Sequence, residues 1–151
     1  MKTLSIQEPY ATLILNGYKK IETRSWKTNY RGEILIHASL SKNFLKTITD
    51  KYVLDLIKNI QLNYGKIICK AKLIDCIEMT EDYIEKIKLN QKEYSLGIYK
   101  TNRYAWILED IEPLEKAIET QGKLGLWEYN EQLSTKKGWQ IKKQMLQSIW
   151  I

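Results

Sequence analysis

The chain has 151 residues, a formal net charge of +6, 44% hydrophobic and 28% charged residues, two cysteines and one histidine. A chain of this length can bury one core of about two-thirds of its unfolded surface, but not two, and its composition excludes low-complexity, collagen-like and disordered classes. No stretch approaches the ~18 apolar residues of a membrane span, and Lys2, Gln7 and Glu8 interrupt the apolar run that a signal peptide needs, so the expected compartment is the cytoplasm.

In chain order, residues 3–6 alternate polar and apolar and predict a short strand. Pro9 suits the first turn of the helix that follows; Tyr10, Leu13 and Ile14 give its apolar face, and Gly17 ends it by taking the left-handed conformation. A turn over 18–24 and a loop over 25–32 lead to a buried strand at 33–38. Ser39 or Ser41 can cap a second helix, whose face Leu45, Ile48, Tyr52, Leu56 and Ile60 recurs at helical spacing. After Gly65, residues 66–78 form the longest predicted strand, and Thr80 with Glu81 and Asp82 reads as the cap and acidic first turn of a helix ending near Asn90. Residues 103–108 predict a central strand, Pro113 separates it from another over 114–118, and Gly122 and Gly125 mark a corner before Leu126 and Trp127. Several strands, few helices and glycine-marked corners point to an α+β fold, a small partly closed barrel flanked by helices. The tail differs: over 131–151, Ile141, Met145 and Ile149 with Trp139, Leu146 and Trp150 make one apolar face. This predicts an amphipathic helix, covering 130–151, that packs on a domain of residues 1–129; contact with RNA, a protein partner or a membrane surface is the alternative use of a basic helix with tryptophans.

The positive charge makes nucleic acid a reasonable partner, although lysines also serve solubility. Arginine usage says more, because Arg24, Arg31 and Arg103 stand in a chain that otherwise meets its positive charge with lysine. An arginine there points to a need for a planar fork of donors. Cys69 and Cys76 are an odd number of positions apart in one predicted strand, so they should face opposite sides and not pair. With a single histidine and no C-x-x-C pattern, neither a metal site nor a cofactor is expected, and His37, between Ile36 and Ala38, reads as structural rather than as a general base. The densest polar constellation is residues 17–24. If these are extended, Lys20, Glu22 and Arg24 share one face, and a turn near Gly17 can bring Lys19 round to the same cavity. A lysine, a carboxylate and a guanidinium together can bind an anion, orient a base edge or shift the lysine toward the neutral form of a base or nucleophile; the bland alternative is a surface ion pair.

The segment Leu4-Ser5-Ile6-Gln7-Glu8-Pro9-Tyr10-Ala11, then Gly17-x-Lys19-x-x-Glu22-x-Arg24, Trp26, Tyr30-Arg31-Gly32 and Leu35-Ile36-His37-Ala38-Ser39, resembles the ASCH domain family. The stretches 103–109 and 122–127 resemble its closing strands, so the likeness covers roughly residues 1–128. It implies a β-barrel related to the PUA domain, with a cleft beside the first helix and a role in RNA binding, processing or RNA-linked transcription control. Some smaller relatives are amidohydrolases that remove the acetyl group of N4-acetylcytidine with a lysine, a threonine and a glutamate, and at least one other is a ribonuclease. By motif position their lysine falls on Lys19 and their threonine on Glu22; for the glutamate, Glu93 is a possible counterpart, with Glu81 and Glu85 as competitors. The expected function is therefore binding of RNA, or of a nucleotide or nucleoside, in a cleft lined by Ser5, Gln7, Lys19, Glu22, Arg24, Trp26 and Ser39. Trp26 offers a stacking face, which Tyr104 and Trp106 would extend unless they serve as core, the commoner fate of strand aromatics. The alternative is a hydrolase acting on N4-acetylcytidine or RNA, with Lys19, Glu22 and Glu93 as candidate catalytic residues. Under the binding reading, Lys19→Ala and Arg24→Ala should leave folding intact and weaken the ligand.

Overall fold

The structure is a computed structural model that describes residues 1–130. The expected C-terminal helix lies outside the described residues. The elements run β1 (Lys2–Ile6), α1 (Tyr10–Leu15), β2 (Ile21–Arg24), β3 (Gly32–Ala38), a 3-10 turn (Phe44–Thr47), α2 (Lys51–Ile57), β4 (Lys66–Glu78), α3 (Glu81–Ile87), α4 (Gln91–Tyr94), β5 (Tyr104–Glu119) and β6 (Leu126–Glu128). The strands form one six-stranded sheet in the order β2-β5-β4-β3-β1-β6. Within it β1 and β3 are parallel, and β1–β6, β2–β5, β3–β4 and β4–β5 are antiparallel. The sheet curls into a half-barrel with helices around it, the α+β architecture expected from the chain.

Curling comes from β4 and β5. Their ladder slips register at three places, between Ile67 and Cys69, Lys70 and Lys72, and Leu73 and Asp75, and each bulge adds local twist and bend. These slips correct two readings. The two strands expected either side of Pro113 are one strand, because exposed Pro113 lies opposite Cys69 at a register shift, where a missing N–H costs the ladder least. The bulge after Leu73 also rephases β4, so Cys69 and Cys76 are buried in the same core cluster rather than on opposite faces, and both remain free thiols. The second helix is likewise two pieces. Asp50, with extended backbone, caps α2 by accepting from Val53 N at 3.1 Å, which separates α2 from the 3-10 turn.

The principal core sets Leu4, Ile34, Ile36, Leu73, Trp106 and Leu108 of the sheet against Ala11 and Ile14 of α1. Full burial of one such aliphatic side chain stabilises by about 2 kcal/mol. A smaller cluster of Leu13, Val53 and Leu96 ties α1 to α2 and to the segment after α4. Gly17, at φ +83°, ends α1 as expected. The amides of Tyr18 and Lys19 then both donate to the Leu13 carbonyl, at 2.9 and 3.1 Å, and this tight turn sends Lys19 inward.

Candidate ligand cleft

β2 is an edge strand paired to β5, with Glu22 opposite Trp106 and Arg24 opposite Tyr104. Its alternation presents Glu22 and Arg24 to one side, toward the start of α1. Glu22 is buried and bridges two cations: its Oε1 lies 3.7 Å from Lys19 Nζ and its Oε2 accepts from Arg24 Nη1 at 3.1 Å. Lys19 is wholly buried, donates to the Leu96 carbonyl and stands 4.4 Å over the Tyr10 ring. Loss of solvent pushes its pKa down, against the opposing pull of Glu22 and Glu93. The same enclosure, with Glu22 and Asp50 near, pushes the Tyr10 hydroxyl up to about 12.

Above this buried pair lies an open cleft of about 380 Å³ whose lining includes Gln7, Glu22, Arg24, Trp26 and Arg103. Trp26 is held from behind. Fully buried Trp106 meets it edge-on with ring centroids 4.7 Å apart and donates from Nε1 to the Trp26 carbonyl at 3.3 Å, while the Arg24 guanidinium lies 5.8 Å from the Trp26 ring. Trp106 is thus core supporting the stacking residue and not part of its exposed face. Residues 95–103 form the far wall: Ile98 N donates to Thr23 Oγ1 at 3.0 Å, and Arg103 donates to the carbonyls of Ile98 and Thr23 at 3.0 and 3.2 Å.

A second cavity of about 430 Å³ adjoins the cleft, with Gln7 and Arg24 lining both. Ser5, His37 and Ser39 and residues 121–125 complete it. His37 Nε2 reaches the Thr120 carbonyl at 2.8 Å; that oxygen only accepts, so the proton is assigned to Nε2, and Nδ1 accepts from Ser5 Oγ at 2.9 Å. Ser5 Oγ in turn accepts from Trp127 Nε1 at 3.1 Å. Burial lowers the His37 pKa, and with both ring nitrogens engaged it is a structural histidine.

The expected site residues therefore fall into three groups. Gln7, Glu22, Arg24 and Trp26 share the cleft, and Ser5 and Ser39 line the adjoining cavity with Gln7 and Arg24. Lys19 does not reach the cleft surface; it lines a separate cavity of about 500 Å³ with Lys20, Glu93 and Asp110. Buried Glu93 accepts the backbone N–H groups of Lys20 at 3.0 Å and Ile21 at 3.4 Å, and burial raises its pKa against the influence of Lys19 and those amides. Glu81 and Glu85 are exposed on α3, where Glu85 pairs with Lys88 at 3.1 Å. Sequence reasoning missed Tyr10, Phe44 and Arg103 in the cleft and Lys123 in the cavity; the scarcity of arginine was the one signal that marked Arg103. Among the described residues no cluster of three or more His, Cys, Asp or Glu could hold a metal ion, and no helix is long and apolar enough to cross a membrane.

Comparison with known proteins gives one family. The family model described as ASCH domain matches residues 4–136. The chain is 20% identical over 138 residues to activating signal cointegrator 1 of Homo sapiens, covering 89% of this chain and 24% of that protein, so it spans about a quarter of that relative's length. The crystal structure of ASCH from Zymomonas mobilis superposes with a TM-score of 0.56 at 16% identity, covering 96% of this chain and 93% of the other. A point mutant of the same bacterial protein gives 0.53 at 13% identity, over 97% and 96% of the two chains. These likenesses establish a shared fold.

Proposed function

This chain belongs to the ASCH domain family, and on that premise we propose that it binds RNA, or a nucleotide-sized piece of it, in the cleft between α1, β2 and residues 95–103, as a cytoplasmic protein of RNA metabolism. The observation that carries the reading is the pairing of an accessible aromatic face, Trp26 backed by Trp106, with the guanidinium of Arg24 beside it over a Glu22 that Lys19 also faces. A base stacks on an indole without regard to sequence, while an arginine fork takes a phosphate or a carbonyl edge. Quenching of tryptophan fluorescence by a short single-stranded RNA tests it. Arg24→Ala should weaken binding at least tenfold and Trp26→Ala by a similar factor, with folding intact, since Arg24 and Trp26 are both partly exposed. Unchanged affinity in both variants would remove the cleft from consideration.

A second reading, deacetylation of N4-acetylcytidine through Lys19, draws on one observation: Lys19 has a lowered pKa and two carboxylates, Glu22 and Glu93, near it. Against it, Nζ is enclosed by Leu96, Tyr10 and Glu22, and a nucleophile or base must reach the reacting atom. Incubation with N4-acetylcytidine and product detection by mass decides between the two. Turnover abolished in Lys19→Met makes Lys19 the reactive group; unchanged substrate beside retained RNA leaves the binding reading.

A further inference from the structure

We propose that the cavity adjoining the cleft is a phosphate subsite, so that the ligand is a phosphorylated nucleotide or an RNA strand rather than a free nucleoside. The proposal rests on the nucleotide-binding reading above and adds the substrate class to it. Charge is the first ground. The cavity is lined by Arg24 and Lys123 and by no carboxylate, in a chain with 18 Asp and Glu residues. The cleft itself has Glu22, and three other cavities among the described residues have Glu93 with Glu109 and Asp110, Glu33 with Asp110 and Glu112, and Glu119. Arg24 is paired to Glu22 from the cleft side, but a concave surface with two cations and no carboxylate in its own lining concentrates anions.

Free donors are the second ground. Arg24 spends Nη1 on the Ser5 carbonyl at 3.3 Å and on Glu22 at 3.1 Å, and its other terminal nitrogen has no protein partner among the described residues. Ser39 Oγ and Lys123 Nζ are likewise unpartnered there. These groups suit a phosphate, which offers several acceptor oxygens and prefers charged donors. The third ground is how Lys123 is held. Gly122 lies so close to the Trp127–Ser5–His37 chain that an added Cβ would stand 2.5 Å from Ser5 Oγ and 2.7 Å from His37 Cε1. Only glycine lets this segment sit down on the end of β1, and Gly125 at φ +68° turns it back into β6. The segment carrying Lys123 is therefore built onto the floor rather than hung over it. Because Gln7 and Arg24 line both spaces, a base against Trp26 and its phosphate beside Lys123 belong to one continuous ligand.

The test compares cytidine and adenosine with their monophosphates and with hexauridylate, reading tryptophan fluorescence and calorimetry. Monophosphates should bind at least tenfold more tightly than the nucleosides, inorganic phosphate should compete with the former only, and Lys123→Gln should abolish the difference without weakening the nucleosides. Lys116→Gln, at an exposed lysine of β5 outside these cavities, sets the size of a general charge effect. If only hexauridylate shows the Lys123 dependence, the phosphate is that of a strand; if the monophosphates show it too, a single nucleotide suffices. Equal binding of nucleosides and every phosphorylated probe, or a Lys123→Gln effect no larger than that of Lys116→Gln, overturns the subsite and leaves the cleft reading standing. Failure of all probes to bind overturns both.

Discussion

Lys19 is the residue on which the interior around the cleft depends. Its ammonium is enclosed by a carbonyl, a carboxylate and an aromatic ring; without it Glu22 keeps Arg24 at 3.1 Å, but truncation leaves a cavity at a wholly buried position. Lys19→Ala is expected to cost about 2–5 kcal/mol in urea unfolding, whereas Lys19→Met, which loses the same charge but fills most of the volume, should cost less. The expectation that Lys19→Ala leaves folding intact does not survive this burial, and the variant is unsuitable for testing binding. His37 permits a cleaner measurement, because it is the chain's single histidine. Its pKa in the folded protein lies below the ordinary 6.5, so the unfolded chain takes up a proton first as the pH falls. The associated stability is fully present above pH 6.5 and is lost progressively as the pH drops through the folded value. The urea midpoint should therefore decline below pH 6.5, and His37→Gln should lack that decline; an equal slope in both proteins would place the titrating group elsewhere.

Short helices and a bent strand pair set the next scale. Asp50 and Thr80 each accept from the backbone N–H three residues on, both at 3.1 Å, and Asp50→Ala or Thr80→Ala should each lower stability by about 1 kcal/mol, read as a shift in Tm. On β5, Asp110 holds φ +52° beside the register shifts. Asp110→Gly should be neutral or mildly stabilising, and Asp110→Val should cost about 1–2 kcal/mol, since a β-branched residue is poorly suited to that region. The elements legible in the sequence are those whose signals are local. β4 and the Thr80 cap were readable because alternation, Gly65 and an acidic first turn all lie within a few residues. β5 was not, because Pro113 is a break only when its register partner is unknown, and opposite a bulge it is tolerated. The helix expected from Leu45 to Ile60 had the right apolar spacing, but Asp50 in its middle is a better cap than a helix-interior residue, and spacing does not record that competition.

At the scale of the whole molecule, the cleft gathers Gln7, Arg24, Trp26 and Arg103 from segments far apart in the chain. The first three were legible because they lie in stretches of the first 26 residues that carry the family resemblance; Arg103 and Lys123 arrive through the pairing of β5 to β2 and of β6 to β1, contacts that no local pattern encodes. Burial of Lys19 was illegible for the same reason, since the Leu96 carbonyl that meets it is 77 positions away. If Arg24, Arg103 and Lys123 each neutralise one phosphate of a single strand, log K should fall with log salt at a slope of about −2, and a slope near zero would leave stacking alone to hold the ligand.

The segment that walls the cleft has another consequence. β2 ends the sheet, and its outer side would present bare N–H and C=O groups to any passing strand. Glu93 takes the amides of Lys20 and Ile21, while Ile98 and Arg103 bond Thr23. Residues 93–103 thus act as a cap against self-association as well as a wall for the ligand. A change that loosens them widens the cleft and uncovers a sticky edge in the same motion, which couples the freedom to accept larger ligands to the risk of aggregation.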